Sequence, residues 1–102
     1  MKKVINGRMY DTTTARCVAD WDNGLYGDRL YYWEESLYKK KTGEFFLYGW
    51  GGPGTHYSRS CGSNSWCGGE EIQPLSEAEA RKLVEKHCNG EEYVEIFGEV
   101  EE

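Results

Sequence analysis

No stretch of this chain approaches the ~20 consecutive apolar residues that a membrane-spanning helix needs, so a membrane protein of that kind is not expected. No apolar run follows Met1-Lys2-Lys3-Val4-Ile5-Asn6-Gly7, so the N-terminus does not read as a signal peptide. The expectation is a cytoplasmic protein whose thiols stay reduced. Internal repeats and low-complexity tracts are lacking as well. With 102 residues there is material for one domain and not two, and little room for a catalytic cleft. A core this small benefits from a staple. Bases are missing from the last twelve residues, which contain Glu91, Glu92, Glu95, Glu99, Glu101 and Glu102.

Aromatics are plentiful. Twelve of the fifteen lie between Trp21 and Trp66, and the packing centre is expected there. The net charge of −6 is unevenly spread. Residues 1–69 carry nine Lys/Arg against seven Asp/Glu, and residues 70–102 carry three against eleven. The bland reading of the acidic end is a solvated tail; the sharper one is a surface that meets a basic partner.

Asn6-Gly7 between Val4-Ile5 and Met9-Tyr10 suits a tight hairpin, because both residues tolerate positive φ. Thr12-Thr13-Thr14 fits either an extended segment or a turn. Asp22-Asn23-Gly24 and Gly27-Asp28 mark a loop. Two strands are expected next, Leu30 to Lys39 and Glu44 to Trp50, joined by Lys41-Thr42-Gly43. Residues 49–69 form a long Gly-rich loop that needs an organiser. Ile72 to Leu75 reads as a short extended approach to a helix. Ser76-Glu77-Ala78-Glu79 is a capping box that starts a helix over residues 76–88. Ala80, Leu83, Val84, His87 and Cys88 form its inward stripe, and Asn89-Gly90 supplies a left-handed stop. Residues 91–97 add one short helical turn that folds Tyr93, Ile96 and Phe97 back onto the core. The expected fold is α+β: a small antiparallel sheet, one main C-terminal helix and the Gly-rich loop, stapled by zinc.

The zinc expectation rests on Cys17, Cys61, Cys67 and Cys88, with His56 and His87 as alternates. Thiolates suit tetrahedral zinc, and a metal joining three distant segments converts its binding energy into folding energy. The Cys61-x5-Cys67 spacing is wider than the usual metal knuckle. Four small buried hydrophobes are the main competing reading, and disulfides are a third.

Other motifs mislead. Gly49-Trp50-Gly51-Gly52-Pro53-Gly54 matches G-x-G-x-x-G, but no helical period follows it, so a dinucleotide site is not expected. Pairing Cys61 or Cys67 with His56 or His87 as nucleophile and base needs a cleft and an orienting third group; no enzyme is expected. Lys39-Lys40-Lys41 at a hairpin end reads as a solubilising turn rather than a nucleic-acid patch.

Several blocks occur together from Leu30 onward. They are Leu37-Tyr38-Lys39-Lys40-Lys41-Thr42-Gly43-Glu44-Phe45-Phe46-Leu47-Tyr48-Gly49, then Gly51-Gly52-Pro53, then Asn64-Ser65-Trp66 with Gly68-Gly69-Glu70. Pro74-Leu75-Ser76 leading into Glu79-Ala80-Arg81, and Glu92-Tyr93 through Glu95-Ile96-Phe97-Gly98, complete the set. As a set they resemble a family of small proteins carried by prophages and mobile elements of Gram-positive bacteria, and the chain looks like a type II-A anti-CRISPR protein. The resemblance implies a monomeric inhibitor in the cytoplasm of a host bacterial cell. It implies binding to the host CRISPR effector nuclease, the single-chain RNA-guided enzyme, with no direct nucleic-acid contact and no catalytic residues. None of the four cysteines belongs to the quoted blocks, so the resemblance itself implies no metal site. Glu91, Glu92, Glu95 and Glu99 are expected to steer docking onto a Lys/Arg-rich channel, with Tyr31, Tyr57 or Trp50 as anchors. The alternative is a zinc-bearing adaptor of a mobile element that binds another host or phage protein.

Overall fold

Asn6 and Gly7 take φ of 52° and 77°, and Ile5 pairs with Arg8 across them. The expected two-residue hairpin therefore closes, joining β1 (Lys2–Ile5) to β2 (Arg8–Asp11). The computed structural model describes all 102 residues. Thr12–Thr14 resolves as a turn. Asp11 Oδ1 accepts from the Thr13 amide at 2.9 Å and from its hydroxyl at 2.7 Å, which gives the buried carboxylate local partners.

The main sheet has four antiparallel strands in the order β3 (Arg16–Asp22), β4 (Trp33–Lys39), β5 (Phe45–Gly51) and β8 (Gly69–Leu75). The expected central hairpin is β4–β5, with Leu37 paired to Leu47. Its first strand starts at Trp33 rather than Leu30, because Asp28 Oδ1 accepts from the amides of Leu30 and Tyr31 and folds that segment into a turn. β3 was not foreseen. A bulge between Cys17 and Ala19 breaks its alternation. β8 is longer than expected and carries Pro74 on an edge strand, where a missing amide is tolerated.

The helix cap is as expected. Ser76 accepts from the Glu79 amide, the Glu79 carboxylate accepts from the Ser76 amide, and α1 runs Glu77–His87. The stop is not. Asn89 has φ −88° and caps a second helix, α2 (Gly90–Phe97), through a reciprocal pair with Glu92. The architecture is α+β with two short helices: the expected main helix, and a helix of eight residues where a single short turn over 91–97 was expected.

The sheet separates two cores. On one face Ala19, Trp21, Leu37, Phe45 and Leu47 pack against Ala80 and Val84 of α1, with Tyr93, Ile96 and Phe97 of α2 closing over them. On the other, Phe46 and Ile72 pack against Tyr10 and the flanking Ile5 from the β1–β2 hairpin. Leu37, Phe46 and Val84 have essentially no solvent exposure. Each contributes roughly 2–3 kcal/mol by burial.

The glycine-rich region is not a structureless loop. It finishes β5, turns through residues 52–58, forms the hairpin β6 (Arg59–Gly62) and β7 (Ser65–Cys67), and begins β8. The two cysteines expected there as zinc ligands are bonded to each other instead. Cys61 and Cys67 form a disulfide across the β6–β7 hairpin, with Cα atoms 5.9 Å apart. Residues 59–67 are all exposed. Replacing both cysteines with serine is expected to lower the melting temperature by no more than ~5 °C, because a staple on so short a loop contributes about 2 kcal/mol at most, and only to that hairpin. Amide exchange should accelerate selectively over residues 59–67, read by hydrogen–deuterium exchange. A global collapse would show that the hairpin belongs to the core.

Candidate protein-binding face

Side chains alternate across a strand, so Glu34, Ser36 and Tyr38 of β4 share one face with Phe46, Tyr48 and Trp50 of β5. Register extends this face into rows. One row is Asp22–Glu34–Trp50–Glu70; the next is Asp20–Ser36–Tyr48–Ile72. The β1–β2 hairpin covers the half around Phe46 and Ile72. The half around Trp50 stays open, and Trp50 is 39 % exposed.

Loop 23–32 builds a wall at this open end. Gly24 donates its amide to Asp22 Oδ1 and the Asn23 side chain donates to the Tyr31 carbonyl. This brings Tyr26 and Tyr32 beside Trp50. The result is an open groove of about 880 Å³ lined by Tyr26, Asp28, Arg29, Tyr32, Trp50 and Glu70, among others. Glycines 51, 52, 68 and 69 line it as well. Gly52 is required there: an added Cβ would strike the carbonyl oxygens of Arg29 and Leu30.

Carboxylates dominate the field of the face. Tyr32 donates to Glu34 Oε2 at 2.7 Å and Tyr48 donates to Glu70 Oε2 at 2.6 Å. The Tyr32 phenol is pushed up to about 12, first by that hydrogen bond and then by burial and the Glu34 and Asp22 charges. Burial comes first for Tyr48, followed by Glu70, and the result is again about 12. Only the carboxylate share of these shifts, and not the share from burial, would act in favour of a nearby cation.

The opposite face of the same end is closed. Glu35, 8 % exposed, accepts from Trp21 Nε1 at 2.8 Å and from the Tyr57 hydroxyl at 2.5 Å, with His56 Nε2 at 3.4 Å. Tyr57 lies directly over Gly49, and Thr55 over Gly51. The glycines of the G-x-G-x-x-G match thus make room for the returning loop, and no helix starts there. Burial and Glu35 drive the Tyr57 phenol far above its usual range. The carboxylate anchors loop 52–58 to the sheet.

The expected metal set is not assembled. Cys61 and Cys67 are bonded to each other, which also departs from the expectation of reduced thiols. Cys17 is exposed on β3, with its thiol 3.5 Å from the Ala19 carbonyl, and Cys88 ends α1 against the helical core. Partial burial, reinforced by Asp20 at Cys17 and by Glu92 and Asp20 at Cys88, pushes both thiols up. The alternates are engaged in aromatic packing. His87 stacks on Trp21 with ring centres 4.6 Å apart, and Trp33 lies between His87 and His56. Burial, then Lys86, holds His87 below its ordinary value. No group of three or more His, Cys, Asp or Glu is placed to hold a metal ion.

The acidic residues expected to steer docking sit on the helical side of the sheet, away from the groove. Glu91 and Glu92 are in the first turn of α2, Glu92 is occupied by its cap, Glu95 is exposed further along, and Glu99 follows the helix. Of the expected anchors, Trp50 lines the groove and Tyr31 is 53 % exposed, but Tyr57 is buried. The Lys39-Lys40-Lys41 turn is partly structural, since Lys40 covers the Tyr10 ring and pairs with Glu44. No helix is long and apolar enough to cross a membrane. Among known proteins, no family model, no curated protein and no solved structure matches the chain.

Proposed function

We propose that this protein acts by stoichiometric binding, presenting the acidic, aromatic half of its sheet to a cationic surface of a partner protein. Following the sequence resemblance, the partner is the type II-A RNA-guided DNA nuclease, and the protein is an anti-CRISPR inhibitor. Such nucleases hold the guide–target duplex in a positively charged channel. An anionic wedge seated there competes with target DNA.

One observation carries the reading: the row Asp22–Glu34–Trp50–Glu70. Asp22 and Glu34 are directly opposed like charges, an arrangement that costs a sheet roughly 0.2–1 kcal/mol. Folding gains nothing from it. A cationic partner does, because strands hold the carboxylates in place and little ordering remains to be done on binding. Trp50 and the tyrosines beside it supply the aromatic anchors in which interface energy concentrates.

The test is a DNA-cleavage assay with guide-loaded nuclease. Cleavage is expected to fall in proportion to added protein and to be lost near one equivalent, with a 1:1 complex on size-exclusion chromatography. Undiminished cleavage at tenfold excess overturns the assignment of the partner. Protein capture from a host lysate, read by mass spectrometry, then identifies the cationic protein that binds instead.

A further inference from the structure

We infer that the groove holds a cage for a single lysine ammonium of the partner, formed by the rings of Tyr26, Tyr32 and Trp50 with Glu34 and Glu70 at its rim. The inference rests on the groove being the binding face and names the group that enters it. Tyr26 and Tyr32 have ring centres 5.7 Å apart at an interplanar angle of 89°. Tyr32 and Trp50 are 5.5 Å apart at 61°. Rings that meet at steep angles form a corner, and a compact cation in that corner meets more than one π-face at once. A guanidinium is planar and prefers to lie flat on one ring, so the corner suits an ammonium better.

Charge agrees with shape. Glu70 and Asp28 line the groove, and Glu34 stands beside it on the Tyr32 hydroxyl; of the bases, Arg29 lines the groove and the Arg59 guanidinium is spent on the Glu70 carbonyl. The protein already uses this combination internally. The Lys40 ammonium sits 3.6 Å from the centre of the Tyr10 ring and 3.7 Å from Glu44 Oε2. The cage offers the same pair of contacts with the ammonium position free for a partner.

The experiment needs no partner. The full chain is titrated with butylammonium chloride, which carries the lysine head group, and separately with butan-1-ol, its uncharged counterpart. The indole N–H resonance of Trp50 is followed by NMR, with that of exposed Trp66 as the internal control. A saturable shift at Trp50 is expected, with affinity about tenfold above that of the alcohol, and none at Trp66. Tyr26→Ala and Glu70→Gln are each expected to weaken it at least ~3-fold at unchanged melting temperature. No saturable shift, or an equal response to the alcohol, overturns the cage. Either result is independent of the cleavage assay, so failure of the cage and failure of the inhibitor reading are separately visible.

Discussion

Gly49→Ala is expected to destabilise the protein by about 3–5 kcal/mol, enough to lower the melting temperature of a domain this size by roughly 15 °C or more. The position is inside a central strand, where an alanine would ordinarily be welcome. Here the added Cβ would overlap the hydroxyl and ring carbons of Tyr57. Strand β5 is paired on both sides and cannot retreat. The ring must therefore leave, and three things are lost together: a buried aromatic, the Tyr57 hydrogen bond to Glu35, and the attachment of loop 52–58. A double-mutant cycle separates this account from a general intolerance of β5. In a Tyr57→Ala background the clash is absent, so Gly49→Ala is expected to cost less than about 1 kcal/mol there, because only the strand's own preference remains. Equal costs in the two backgrounds would show that the glycine is needed for some reason other than Tyr57.

The same pair explains which parts of this fold are legible in the sequence. Elements specified by adjacent residues are readable: the Asn6-Gly7 turn, the Ser76/Glu79 capping box, and the β4–β5 hairpin around Lys41-Thr42-Gly43. The glycine-rich region is opaque because its glycines answer to distant side chains. Gly49 matters only once Tyr57 lies over it, and Gly52 only once the Arg29–Leu30 backbone passes it. The cysteines fail for a related reason. Nothing local distinguishes four metal ligands from one hairpin disulfide and two thiols; the β6–β7 hairpin, whose register shifts at Cys61, brings Cys61 and Cys67 together. Asn89-Gly90 is a different case, since the same two residues suit a left-handed stop and a helix start. Glu92, three residues after Asn89, was the available signal for the start. The proposed binding face was half visible. Period-2 alternation puts Glu34 with Ser36 and Tyr38, and Tyr48 with Trp50, but which half stays open depends on where the β1–β2 hairpin docks. Composition drew attention to the C-terminal glutamates instead, because there the charges are contiguous in sequence rather than in space.

Two acidic surfaces therefore compete as the docking site, and charge reversal separates them. Glu34→Lys with Glu70→Lys is expected to weaken binding to the cationic partner about 100-fold or more, since each change replaces an attraction with a repulsion at the centre of the face. The association rate should fall first, and the difference from wild type should shrink as ionic strength rises and the Debye length contracts. Glu91→Lys with Glu95→Lys, on the exposed side of α2, is expected to change affinity by no more than about threefold, as for charges at or beyond a rim. The readout is binding kinetics on immobilised guide-loaded nuclease at two salt concentrations. Stability supplies the internal control. Glu34 faces Asp22 across the strand pair, so Glu34→Lys turns an opposed like-charge pair into an attractive one. The double variant also removes the carboxylate acceptors of the Tyr32 and Tyr48 hydroxyls, so its melting temperature is read alongside, and an affinity loss counts only while the variant is folded at the assay temperature. If the α2 reversal proves the more damaging, docking runs through the helical layer, and the open groove on the sheet loses its claim to the partner.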